Sequence, residues 1–310
     1  MRNLDISFVR STIVPLLLPI WFASYAALTF IHLATHNYLA IDVTIYRHAA
    51  EMALAGGNPW TVDPNGSFAA PPATLVFYFP AALLPLPLAT LVMMSAGLAA
   101  GAWAVHRLGL PLWWLLFPPL FDALLAGNPD ALVLAFLLVK GPLAGLAAVF
   151  KVYAFVPLLL QRRWAAVGLA CVVSALSLPL LPTFLANVDS VGLTLGGGAK
   201  LSAWGTWLIL PVLAALWSLR NRGAEWLIVP AIWPNTQGHY GTMALPAVRD
   251  YPLAAALIGL DIPLVPPLAV ILIAVQNWLR RREQAVDHVP TASDSSRRRE
   301  AFRPATPSGR

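Results

Sequence analysis

The chain has 310 residues, of which 58% are hydrophobic and 11% charged, and a formal net charge of +6. A soluble domain carries roughly 25% charged residues, so this chain lacks the polar surface that water requires and reads as an all-α polytopic membrane protein. The positive charge does not point to nucleic acid. The basic residues stand at the ends of apolar runs and in the C-terminal tail, where they orient spans and meet lipid headgroups.

Arg2 and Arg10 precede a first apolar block from Thr12 to Leu33, long enough to span. The positive-inside bias places the N-terminus in the cytoplasm and the polar stretch 36–67 on the far side. Within that stretch Ile41–Leu54 has helical periodicity, with Ile41, Ile45, Ala49 and Met52 on one stripe. Asp42 and Tyr46, four apart, share a different face, and Arg47 and Glu51 form a second such pair. Gly56-Gly57 should end the helix, and Asn58-Pro59 is turn chemistry. The natural expectation is a helix lying on the membrane surface.

Beyond Pro71-Pro72 apolar blocks follow one another, punctuated by Pro85, Pro87, His106-Arg107, Gly127-Asn128-Pro129-Asp130, Gly141-Pro142 and Arg162-Arg163. Cys171, the one cysteine, sits in an apolar run and is expected to be a small buried hydrophobe. A polar loop, 187–200, contains Gly196-Gly197-Gly198 and ends at Lys200. Further spans end at Arg220–Arg222 and at Arg280-Arg281-Arg282. At about 20 residues per span, nine or ten crossings are expected. Residues 1–283 then form one integral membrane domain, and 284–310 a disordered cytoplasmic tail. Both termini fall in the cytoplasm of a multi-pass protein of the plasma (inner) membrane. Segments 187–200 and 235–240 fall on the same side as Asp42.

Ionisable groups near a bilayer are costly and call for a reason. Asp42 is either a helix N-terminal carboxylate favoured by the dipole or a general base for a hydroxyl. His239 is either an interfacial loop histidine or a donor to a phosphate or sugar. Lys151, in mid-block, is a snorkelling or neutral amine, or else a partner for an anionic phosphate. The glycine loop before Lys200 lacks the serine or threonine of a phosphate loop, since Leu201 follows, and reads as a flexible loop. There is no dinucleotide fingerprint, no nucleophile elbow and no zinc-helix motif, so neither a cofactor nor a metal is expected.

Several short patterns occur together: Asp42-x-x-x-Tyr46, Ala49-Ala50, Gly57-Asn58-Pro59-Trp60, then Phe68-x-Ala70-Pro71-Pro72. Gly127-Asn128, Lys151-x-Tyr153 with Pro157 and Arg162-Arg163-Trp164, and His239-Tyr240 with Pro246 follow in order. In these the chain resembles the GT-C-fold glycosyltransferases, above all the polyprenol-phosphate-mannose-dependent mannosyltransferases (glycosyltransferase family 87). It departs from their pattern at Ala70, where they carry tyrosine. The resemblance implies an active site on the extracytoplasmic face with Asp42 as general base. The donor would be a hexose, mannose first, linked to a polyprenyl monophosphate; the acceptor would be a glycolipid or cell-envelope glycan. Candidate substrate-binding residues are Tyr46, Arg47, Asn58, Asn128, Lys151, Lys200, His239 and Tyr240. A single displacement at the anomeric carbon would invert its configuration. Two alternatives remain open: a transporter of a lipid or sugar, and an inactive scaffold of the same fold.

Overall fold

A computed structural model describes residues 14–61, 67–196 and 201–287. Arg2, Arg10, Lys200, Gly197, Gly198 and the tail beyond 287 lie outside the described residues. Every regular element among the described residues is helical. In chain order the α-helices are α1 (Val14–Thr35), α2 (Ile41–Leu54), α3 (Pro72–Ala82), α4 (Leu86–Arg107), α5 (Pro118–Ala126), α6 (Asp130–Leu138), α7 (Leu146–Phe150) and α8 (Phe155–Leu160). They continue as α9 (Trp164–Ala175), α10 (Leu181–Ala186), α11 (Val188–Gly196), α12 (Ile209–Ser218), α13 (Ala224–Ile232), α14 (Leu245–Val248), α15 (Pro252–Ile258) and α16 (Val265–Asp287). A 3-10 segment, Gly238–Ala244, leads into α14.

Among the described residues two helices, in α1 and α4, are long and apolar enough to cross a membrane. The count rises to four if each of two bent pairs is one span: α5 with α6, bent by 120°, and α9 with α10, bent by 57°. Nine or ten crossings by helices of full length are therefore not what the fold displays. The reason is local. Proline opens α3, α5 and α15, where its missing N–H costs nothing. The same residue, with glycine, cuts the apolar blocks into pieces of 5 to 12 residues between α5 and α10. Large apolar side chains of α1 and α4, such as Ile20, Leu28, Leu91 and Leu98, are exposed, as on a surface facing hydrocarbon.

Three expectations need correction. The buried face of α2 is Val43, Tyr46, Ala49 and Ala50, not the stripe through Ile41 and Ile45. The helix packs on protein, against α3, α4 and α5, so its dry face is the one that carries Tyr46. Cys171 is exposed, because α9 turns Ala166 and Ala170 inward instead. The expected boundary near 283 falls inside α16, which runs on to Asp287.

What positions the site is the break between α5 and α6. Gly127 takes the left-handed conformation (φ 72°) that ends many helices. The N–H of Asn128 reaches the Ala123 carbonyl at 2.8 Å and that of Gly127 reaches Leu124 at 3.3 Å, which together make a Schellman turn. A Cβ at Gly127 would stand 2.4 Å from Val43 Cγ2, so only glycine lets α2 approach this closely. The Ala40 N–H donates to the Leu125 carbonyl at 2.8 Å and fastens the start of α2 to the end of α5. The segment Gly238–Ala244 packs against α5, α6 and α13. Three segments distant in sequence therefore converge on one turn.

Candidate functional site

Asp42, in the first turn of α2, accepts a 2.6 Å hydrogen bond from Asn128 Nδ2. Asn128 cannot flip to lose it. Its Oδ1 accepts from the Asp130 N–H at 3.2 Å, at the start of α6, which directs the amide nitrogen toward Asp42. The same nitrogen lies 3.3 Å from His239 Nε2. An amide donor makes Nε2 the acceptor, so the imidazole proton sits on Nδ1, which faces Asp122 Oδ2 at 3.9 Å. Asp42 and His239, nearly two hundred residues apart in the chain, thus flank a single amide nitrogen.

Asp130 is fully buried. Its Oδ1 accepts from the Tyr153 hydroxyl at 2.6 Å and stands 3.9 Å from Lys151 Nζ. Its Oδ2 has no hydrogen-bond partner among the described residues and lies 4.0 Å from His239 Nε2. Lys151 enters this group because α7 stops at Phe150 and the backbone of Lys151 is extended (φ −143°, ψ 118°). The carbonyls of Val149 and Phe150 released by that break both accept from the buried Thr74 hydroxyl of α3 at 3.1 Å. The lysine ammonium lies 5.9 Å from the centre of the Tyr46 ring and 5.6 Å from that of Tyr240, within range of a cation–π attraction. Tyr46 is held by stacking on Tyr78 (4.6 Å, 15°) and by the edge of Phe68.

Part of this cluster opens on a cavity of about 390 Å³, lined among others by Asp42, Tyr46, Asn128, Lys151, Tyr153 and Tyr240. Phe68, Ala70, Trp233 and Gln237 also form part of its wall. The size and mixture suit a small ligand: an apolar lining with a few convergent polar groups. Burial pushes the Asp42 carboxyl above its usual range, opposed by the Lys151 charge and the Asn128 hydrogen bond. Burial first, and then the Lys151 charge, hold His239 well below the ordinary imidazole value, so it is neutral at physiological pH. A partly desolvated carboxylate beside a neutral imidazole and an ammonium can take a proton and bind an anion within one cavity. Among the described residues no three His, Cys, Asp or Glu side chains gather as a metal ion would require.

The cavity thus unites Asp42, Tyr46, Asn128, Lys151 and Tyr240, with His239 behind Asn128. Arg47 and Asn58 are elsewhere. Arg47 Nε donates to the Leu84 carbonyl at 3.0 Å and its Nη2 pairs with Glu51 at 2.7 Å. Asn58 builds the turn after α2: its Oδ1 accepts from the Trp60 N–H at 3.1 Å and its Nδ2 donates to Asn187 Oδ1 at 3.0 Å. The neighbouring Trp60 is buried, with Nε1 donating to the Ala70 carbonyl at 2.9 Å and its ring against Phe184. The turn therefore ties the segment after α2 to residues 184–187. Asp122 and Asp130 were not among the residues singled out by sequence. The signal was present in both, an acid within or opening an apolar helix, by the same reasoning that singled out Lys151.

The fold and the cavity define an all-helical protein, apolar enough in places to cross a membrane, with a cluster of buried ionisable groups at a broken helix pair. No family model matches the chain, and neither a curated protein nor a solved structure matches it.

Proposed function

We propose that the protein is a polytopic membrane glycosyltransferase of GT-C type, transferring a hexose, mannose first, from a polyprenyl-phosphate donor to a lipid-linked or cell-envelope glycan. The observation that carries this reading is that Asp42, Asn128 and Lys151 line one cavity, with the Asn128 amide nitrogen shared between Asp42 and His239 behind it. Asp42 acts as general base: it takes the proton of the acceptor hydroxyl as that oxygen bonds to the anomeric carbon. The bond from that carbon to the phosphate oxygen breaks, and its electron pair leaves with the polyprenyl phosphate. Lys151 compensates the anion that departs. Neutral His239 holds the Asn128 amide, which in turn holds Asp42. The configuration at the anomeric carbon inverts, since a single displacement by one base needs no covalent intermediate. The cavity faces the extracytoplasmic side of the plasma (inner) membrane, with both termini in the cytoplasm. Further crossings, beyond the two helices and two bent pairs long enough to span, would be made by tilted short helices.

The test is direct. Membranes holding the protein are given a radiolabelled polyprenyl-phosphate hexose and a glycolipid extract, and labelled product is compared with that of Asp42→Asn. Transfer by the wild type that the variant retains in full would remove Asp42 as base.

A transporter of a lipid or sugar is the second reading, favoured by the 120° break between α5 and α6, where a broken span lines a cavity. Uptake of labelled substrate into proteoliposomes without a covalent product would favour it.

A further inference from the structure

A second cavity, of about 580 Å³, lies where α8, α12 and α13 meet, beside the turn that joins the last two. Its wall is apolar, with Leu213, Trp217 and Ile228 among the residues that form it. Leu213 and Trp217 are exposed, at 44% and 69%, so the wall continues onto the outer face of α12. Its rim is charged. Arg220 follows the end of α12, and Glu225 stands in the first turn of α13, five residues on. No ion pair joins them among the described residues. Instead the Arg220 guanidinium lies 4.6 Å from the Trp217 ring and donates to the Trp217 carbonyl at 3.3 Å. Glu225 accepts from Gln161 Nε2 at 3.4 Å, a long hydrogen bond. The helix dipole accounts for a carboxylate in the first turn of α13. It does not account for a cation and an anion left apart at the mouth of an apolar cleft.

We propose that this cavity binds a phospholipid whose zwitterionic headgroup ends in a primary ammonium. The phosphate meets Arg220, the ammonium meets Glu225, and the acyl chains run along Leu213 and Ile228. The exposed Trp217 indole sits where amphipathic rings gather, at headgroup level. Glu225 selects the amine in two ways. Its carboxylate accepts N–H hydrogen bonds that a trimethylated ammonium cannot donate, and it repels a headgroup with phosphate charge alone. The proposal rests on the chain being embedded in a membrane and is independent of the transferase reading.

The full-length protein in mild detergent, titrated with dioleoyl phosphatidylethanolamine, phosphatidylcholine or phosphatidylglycerol, is read by native mass spectrometry for retained lipid. The wild type retains the ethanolamine lipid about tenfold more tightly than either of the others, the worth of one charge-assisted hydrogen bond. Glu225→Gln loses the preference over phosphatidylcholine and gains retention of phosphatidylglycerol, a gain that an unfolded variant could not show. Arg220→Ala weakens all three. Equal retention of the ethanolamine and choline lipids by the wild type overturns the proposal. So does tighter retention of the glycerol lipid, or a preference that survives Glu225→Gln.

Discussion

The buried cluster beside the cavity and the arginines at helix ends and along α16 treat charge in opposite ways. Arg163 donates to the carbonyls of Leu137 at 2.6 Å and of Val139, closing the end of α6. Arg222 donates to Asn277 Oδ1 at 2.6 Å, while Arg280 and Arg282 lie over the rings of Tyr251 and Trp278. Each of these cations is discharged on a helix end, an amide or a ring. Around Asp130, which contacts the cavity-lining Lys151 and Tyr153 without lining the cavity itself, the reverse holds. Asp130 Oδ2 has no hydrogen-bond partner among the described residues, and Lys151 and His239 approach its carboxylate no closer than 3.9 and 4.0 Å. A buried ion that is only half satisfied costs stability. The arginines hold helices in place, whereas the buried cluster beside the cavity keeps a carboxylate oxygen without a hydrogen-bond partner among the described residues.

The sharpest way to break that contrast is at Asp42. A general base contributes about 10²- to 10⁴-fold, so Asp42→Asn should lower transfer by at least about a hundredfold. Its yield and monodispersity in detergent should stay those of the wild type, because asparagine keeps the shape and can still accept from Asn128. Asp130 ranks next, on stability. Asp130→Asn removes one of the two carboxylates that face the buried Lys151 charge, Asp42 being the other, a loss of about 3 kcal/mol for such a pair. Thermal unfolding in detergent should show a lower Tm, and the double variant Asp130→Asn with Lys151→Met should recover much of it. A double variant as unstable as the two single losses added together would mean that the two groups do not act as a pair.

Gly127 tests how the two halves of the site are joined. Gly127→Ala forces a Cβ against Val43 and places a side chain at φ 72°. The left-handed backbone alone costs about 1 kcal/mol, and the clash adds to it. Adding Val43→Ala should relieve the clash but not the backbone cost, so Tm should return part of the way.

That junction also explains what was and was not legible in the sequence. The helical class, the end of α2 at Gly56-Gly57, and the interest of Asp42, Lys151 and His239 follow from composition, local turn chemistry and the cost of charge in apolar sequence. The inward face of α2 does not. Its periodicity allows two stripes, and the choice is made by a glycine 84 residues after Val43 that admits a close approach. Span count escapes for a related reason. Apolar blocks are continuous in hydropathy, but proline and glycine bend them into pairs whose angles depend on what they pack against. Asp122 and Asp130 are masked by the apolar residues around them until the fold places both beside His239.

Asn128 sharpens the comparison through pH. The proposed mechanism needs ionised Asp42, so the rate should rise with pH on its acid side, with a midpoint above the ordinary carboxylate range because burial raises that pKa. The Asn128 hydrogen bond opposes the rise by favouring the charged form. Asn128→Ala removes it, so the acid limb should move upward by about one pH unit. At a fixed pH on that limb, transfer should fall by about tenfold and recover as the pH is raised. His239, held neutral by burial and by Lys151, should contribute no limb near the ordinary imidazole value. A limb that stays in place in the variant would show that Asn128 does not tune Asp42.

The smallest effect should come from the arginine turns. Arg222 is exposed, and its partner Asn277 is buried. Asn277 Oδ1 also accepts from the Tyr251 hydroxyl at 2.9 Å, and its Nδ2 donates to the Ile273 carbonyl at 3.0 Å. Arg222→Ala therefore strips one donor from an amide that remains satisfied on both sides. The usual penalty of orphaning a buried polar group does not arise. The change in stability should stay within about 1 kcal/mol, with transfer and its pH profile unaltered. A loss as large as that of Asp130→Asn would mean that this turn, too, holds charge whose pairing the fold cannot replace, and the contrast between the two regions would fail.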